Sequence, residues 1–312
     1  MSVNVKMKDY MQPILLILAI LLGSLTGVYI YELDEFFVEL AIIALLFFVF
    51  YNVPLGKITK DIKNRKFLGL AWISNFIIIP LIAFLIASIF VDNSSLVFVG
   101  LIIYLVAPCT DWVLGFTKLA KGDVELSSIL LPINLISQII LLPVYLYSFS
   151  ANAVEIPFDA FFETLIFWVL IPFLAAKILY YLVSKTKKLH KSTAYSENLA
   201  TLSLVSLVFF IFNSNIAVLT QNINLLPQIF IVILMFFVVT YYLIKYLAKY
   251  FELKRKEEIT LSMTTAARNA PLMLGISLVL FPDASLIHLV LIIGMLVEFP
   301  HLITLTHLLK KN

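Results

Sequence analysis

Runs of mostly apolar residues, about the 20-residue length that crosses ~30 Å of hydrocarbon as a helix, recur along the whole chain. They fall at 12–31, 36–54, 67–91, 96–120, 124–148, 159–184, 195–219, 227–250, 258–280 and 286–309, with short polar breaks between them. They are too long, and too rich in Leu, Ile and Phe without period-two alternation, to be strands of an outer-membrane barrel. The expectation is an all-α membrane protein of ten transmembrane helices. Composition supports this: 62% of residues are hydrophobic and 13% charged, where a soluble domain carries about 25% charged residues. Few residues precede the first run and they contain no cleavage-site pattern, so that run is expected to stay in the protein.

Basic residues alternate between connections. Lys6 and Lys8 precede the first run, Lys57, Lys60, Lys63, Arg65 and Lys66 follow the second, and Lys118 and Lys121 follow the fourth. Lys185, Lys187, Lys188 and Lys191 follow the sixth, Lys254, Arg255 and Lys256 the eighth, and Lys310 and Lys311 the tenth, while Lys177, Lys245 and Lys249 are expected to snorkel from helix ends on that side. The opposite connections carry Glu32, Asp34, Glu35, Asp92, Glu155 and Asp283 and neither lysine nor arginine. The positive-inside rule then puts both termini in the cytoplasm, and the expected location is the plasma (cell inner) membrane, crossed many times. A net charge of +3 reports this orientation and contact with anionic lipid rather than nucleic-acid binding. No connection is long enough for a tethered ATPase or a receptor domain. No HExxH, catalytic aspartate pair or nucleotide loop is present, so an enzyme is not expected.

Ten runs divide into two sets of five, residues 1–154 and 155–312, together one membrane domain. An odd number of spans per copy inserts the second copy upside down, so an inverted 5+5 repeat is expected. Pro108 in the fourth run and Pro271 in the ninth lie at similar depth and are helix breakers. Polar residues flank both: Cys109, Thr110 and Asp111 beside the first, Thr264, Thr265, Arg268 and Asn269 beside the second. Interrupted helices at matching places point to a midplane binding site; ordinary proline kinks are the plainer reading.

Ionisable residues deep in a bilayer cost about 2.5–3.5 kcal/mol each on insertion scales and default to functional candidates. Asp111, Arg268 and Glu298 are such residues, two acids against one base. With Arg268 as charge partner of one carboxylate, the other becomes a candidate proton-coupling group; Glu298 is the first choice and Asp111 the second. A structural ion pair is the competing reading for both. Arg268 can also serve as a built-in positive charge where a metal cation would otherwise bind. His301, three residues after Glu298 on one helix face, allows a relay. Cys109 is the single cysteine, which excludes an internal disulfide and gives a soft ligand beside a helix break. Asn134 and Gln138 share a helix face and either line the same cavity or bond between helices. No metal site or cofactor is expected.

The segment YLVAPCTDWVLGFTKLAKGD from Tyr104, LPINLISQIILLPVYL from Leu131 and GMLVEFPHLI around Glu298 together resemble the arsenical resistance-three family of arsenite efflux permeases. That family lies in the superfamily of the bile acid:sodium symporters. The resemblance implies a 5+5 inverted repeat with crossed, broken fourth and ninth helices, and proton-coupled export of arsenite, sometimes antimonite. It also implies that Cys109 and Glu298 are the essential pair. The chain departs from the pattern in Pro-Cys-Thr-Asp-Trp, where many members read Arg-Cys, and in TTAARNAPLML of the ninth run. Sodium-coupled relatives hold sodium with an acidic residue and a glutamine in that run; Thr264 and Arg268 stand at the matching places, which favours protons.

The expected function is thus a secondary active transporter exporting arsenite by proton antiport, with Cys109, Thr110, Asn134 and Asn269 binding the solute. The alternative is a sodium- or proton-coupled symporter of an organic anion, in which Arg268 holds the carboxylate. A small solute and membrane lipids are the expected partners, and the sequence names no protein partner.

Overall fold

The computed structural model describes residues 8–29, 35–52, 64–110, 113–150, 165–186 and 189–311. Their regular structure is helical: α1 Lys8–Tyr29, α2 Glu35–Asn52, α3 Arg65–Ile73, α4 Ile79–Phe90, α5 Leu96–Val106, α6 Val113–Leu119, α7 Val124–Ser150, α8 Ile171–Ser184, α9 Leu189–Gln221, α10 Leu226–Tyr250, α11 Arg255–Ala266, α12 Ala270–Leu280 and α13 Ser285–Lys311. Five helical stretches are long and apolar enough to cross a membrane, namely Arg65–Phe90, Val124–Ser150, Tyr195–Ser214, Ile223–Tyr250 and Ser285–Lys310. Five shorter apolar helices, Ile14–Tyr29, Phe36–Asn52, Leu96–Val106, Ile171–Ser184 and Ala270–Leu280, occupy the remaining apolar runs. A membrane-embedded, multi-pass helical protein is the result.

The described residues form two compact units, each assembled from separated pieces of chain. The first comprises Met1–Asn52, Asp159–Ile223 and Gly275–Ser285, the second Val53–Phe158, Asn224–Leu274 and Leu286–Asn312. Both halves of the sequence contribute to each unit, so the compact units are not the sequence halves 1–154 and 155–312; the boundary between those halves lies outside the described residues.

In the first unit α9 packs against both α1 and α2, and α2 also packs against α8. Gly23 and Gly27 make the α1–α9 contact possible: a Cβ on either would run into the backbone carbonyl of Phe209 or Asn213 respectively. Small residues four apart allow helix backbones to touch, the usual device where lipid removes any hydrophobic drive between helices. Asn213 Nδ2 then donates to Thr26 Oγ1 at 3.0 Å. Lys177, expected to snorkel outward, instead donates to the Phe50 carbonyl at 2.5 Å near the C-terminal end of α2, where carbonyls lack helical partners. Leu18, Leu21, Leu22 and Leu25 on α1 are exposed, an apolar surface that suits lipid and not water.

The second unit holds the interrupted helices. Every residue of α5 from Val97 to Val106 is buried, as befits a helix apolar on all sides and surrounded by protein. Its start is fixed by Ser95, whose Oγ accepts from Phe98 N at 3.1 Å. Ile259 to Ala266 of α11 are equally buried but half of them carry hydroxyls. Three of those hydroxyls are satisfied locally: Thr260, Ser262 and Thr265 donate to the carbonyls of Lys256, Glu258 and Leu261 at 2.8, 2.9 and 2.8 Å. Between α3 and α4 the helix widens into a π-turn, Ser74–Ile78. Pro80 gives the physical cause, since it has no N–H to bond the Phe76 carbonyl and its ring crowds that oxygen. Tyr145 OH donates to the released carbonyl at 2.6 Å.

Candidate functional site

The two helix breaks meet. After α5 the helix is interrupted at residues 107–110, and after α11 at 267–269, each interruption opening on an extended residue, Ala107 and Ala267. Cys109 N donates to the Ala267 carbonyl at 3.0 Å and Asn269 N to the Ala107 carbonyl at 2.9 Å, an antiparallel bridge that pairs Pro108 with Arg268. Backbone groups that lose their helical partners inside a membrane must find others, and each break here satisfies the other. Pro108 lies in its break. Pro271 does not: it occupies the first turn of α12, where the missing N–H costs nothing, and the break itself is 267–269.

Arg268 is fully buried. Its Nη1 donates to the Leu105 carbonyl at 2.9 Å, and its Nη2 to the carbonyls of Thr264 at 3.2 Å and Thr265 at 2.5 Å. These oxygens belong to the last turns of α5 and α11, the negative ends of two helix dipoles. The guanidinium therefore fills the place of a cation between two half-helix C-termini, with the Phe236 ring centroid 5.7 Å from its Cζ. Nε makes no hydrogen bond among the described residues. Asp111, the other expected partner of Arg268, lies outside the described residues.

Glu298, also fully buried on α13, reaches the same crossing. Its Oε1 accepts from the backbone N of Arg268 at 2.8 Å. Tyr104 OH donates to the Gly294 carbonyl at 2.9 Å and lies 3.4 Å from Glu298 Oε2. Gly294 is required for that approach, since a Cβ there would sit 2.7 Å from the Tyr104 ring. Cys109 is buried one residue from the bridge centre, and Thr110 Oγ1 accepts from Asn269 Nδ2 at 3.0 Å. The structure thus gathers Cys109, Thr110, Arg268, Asn269 and Glu298 at one crossing.

Asn134 belongs to a neighbouring cluster of neutral polar groups. Asn134 Nδ2 and Asn75 Nδ2 both donate to Thr264 Oγ1, at 3.1 and 3.2 Å. The Oδ1 atoms of Asn75, Asn134 and Asn269 and both amide atoms of Gln138 have no hydrogen-bond partner among the described residues. Among the described residues no group of three or more His, Cys, Asp or Glu is gathered as a metal site requires. Tyr104 and Asn75 escaped the sequence reading. Tyr104 had a usable signal, a tyrosine inside a buried apolar helix; Asn75 shows its role only once the π-turn directs it toward α11.

A protein-family model for the sodium bile acid symporter family matches residues 39–226, more than half of the chain. The chain belongs to that family. Members of the sodium bile acid symporter family are transporters, and this protein is accordingly a membrane solute transporter rather than an enzyme. No individual curated protein matches the sequence.

Proposed function

We propose that the protein exports arsenite, and antimonite as a second cargo, from the cytoplasm across the plasma membrane by proton antiport, using two inverted five-helix repeats that rock about the crossed breaks. One observation carries the reading: the single thiol and the buried carboxylate are tied to the same three residues, through Cys109 N to Ala267 O and Arg268 N to Glu298 Oε1. Neutral arsenous acid condenses with the Cys109 thiol, forming an S–As bond and releasing one water; hydrolysis on the outer side reverses the step. Thr110, Asn134 and Asn269 offer hydrogen bonds to its remaining hydroxyls. Protonation of Glu298 converts a charge-assisted bond to Arg268 N into a neutral one about half as strong, loosening the crossing when the cargo has left. Asp111 is the second candidate for that proton.

Arg268 supports proton rather than sodium coupling, because its guanidinium already engages the carbonyls that a cation would need. The organic-anion symporter fits the family match equally well. In that reading Arg268 must leave those carbonyls to hold a carboxylate.

The test is arsenite uptake into everted membrane vesicles energised by an acid lumen, for the intact chain, Cys109→Ser, Glu298→Gln and Arg268→Lys. Arsenite antiport predicts that the first two variants lose at least about tenfold of the uptake. No uptake by the folded, intact chain removes arsenite and turns the test to organic anions, with Arg268→Lys the informative variant.

A further inference from the structure

A small cavity of about 10 Å³ lies between α10, α11 and α13, lined among others by Phe237, Thr240, Tyr241, Ser262, Thr265 and His301. That is room for one water, about one probe sphere. His301 stacks flat on Phe237, ring centroids 3.9 Å apart and planes 2° from parallel, so the plane of the ring is fixed while a half-turn within that plane exchanges its two nitrogens. Its Nε2 is buried and has no hydrogen-bond partner among the described residues.

Three of the lining hydroxyls present acceptors to the cavity. Ser262 Oγ gives its proton to the Glu258 carbonyl at 2.9 Å, Thr265 Oγ1 to the Leu261 carbonyl at 2.8 Å, and Thr240 Oγ1 to the Phe236 carbonyl. With their protons directed into their own helices, these oxygens turn only lone pairs toward the cavity. Such a lining suits a guest that donates, either water or a protonated imidazole. Tyr241 is the other titratable side chain on the wall. Beyond it, in the direction of the helix ends rich in lysine, stand Lys245, its Nζ 6.0 Å from the Tyr241 ring centroid, and the Arg255–Glu258 ion pair of 2.8 Å. On the other side, one turn back along α13, is Glu298, three residues from His301 and so within about 5–6 Å between Cβ atoms.

We propose that this cavity holds one ordered water and that His301 with this water forms the cytoplasmic leg of the proton path from Glu298. This rests on the proton-coupled reading above. The Glu298 carboxyl gives up its proton, His301 takes it at one ring nitrogen and releases the proton of the other to the water, and the water passes it toward the bath. No redox step or co-reactant is involved; the imidazole returns to neutrality as its other tautomer, and a half-turn of the ring in its own plane restores the starting state.

The experiment compares two activities of the full chain in everted vesicles, whose bath contacts the cytoplasmic face. One is net arsenite uptake driven by an acid lumen, which needs proton release; the other is arsenite–arsenite exchange at equilibrium, which needs none. In His301→Phe, which keeps the stack on Phe237, and in His301→Gln, net uptake is expected to fall about tenfold or more while exchange stays within about twofold of the intact chain. Unchanged net uptake overturns the proposal, and so does parallel loss of both activities, which assigns His301 to packing. An intact chain that exchanges arsenite but ignores the proton gradient overturns the proton-coupled reading itself, a result visible before any variant is made.

Discussion

Arg268 is bonded in a way that decides what its replacement does. Exchanging a buried ion pair for apolar residues is often neutral or stabilising, because both charges go together. The acceptors of Arg268 are the main-chain carbonyls of Leu105, Thr264 and Thr265, which no substitution at position 268 removes. Each buried acceptor left unpaired costs about 1–3 kcal/mol. Thermal unfolding in detergent should therefore rank the intact chain above Arg268→Lys, whose point charge cannot fork between three oxygens, and Arg268→Lys above Arg268→Met. Equal or higher stability of Arg268→Met rejects the carbonyl-bridging role. This arrangement could not be read from the sequence. Arg268 was recognisable as a lone base in an apolar run, but its partners are backbone atoms, which leave no trace in residue identity. The Tyr104–Glu298 contact spans 194 positions and was equally hidden.

Proline alone marked the breaks imperfectly. Pro108 sits in an interruption, yet α7 continues through Pro132 and Pro143, and α13 through Pro300. What distinguishes the true breaks is a second interrupted segment to pair with, through Cys109 N to Ala267 O and Asn269 N to Ala107 O, with a side-chain bond between Asn269 and Thr110 beside it. Apolar runs were far more legible, because a backbone that must satisfy itself in lipid has little choice but helix. The α1–α9 contact lies between these extremes: Gly23 and Gly27 spell the small-residue spacing, but the helix they meet is fixed only by the fold. Replacing Gly27 with Leu inserts a side chain where even a Cβ meets the Asn213 backbone. Overpacking of this kind costs about 1–3 kcal/mol, and a lowered melting temperature with less protein in the membrane is expected. A Gly27→Leu protein as stable as the parent contradicts the backbone contact.

Two compact units each draw on both halves of the chain. The orientation expected from the charge pattern can be measured directly, because removing Cys109 leaves a chain without cysteine. In a Cys109→Ser background, Asp283→Cys should react with a membrane-impermeant maleimide added to intact cells, and Glu252→Cys only in everted vesicles. Labelling of both from one side refutes the cytoplasmic assignment of the basic connections. Arg268 has a further consequence at this scale. A positive charge that is part of the chain cannot dissociate on either side, so on the proposed cycle the outward cargo is neutral and the returning proton is the only charge that crosses. Turnover is then electrogenic, and an interior-negative potential contributes about 2.3 kcal/mol per 100 mV for each proton that enters. A cell with no pH difference across its membrane would still expel the solute on voltage alone.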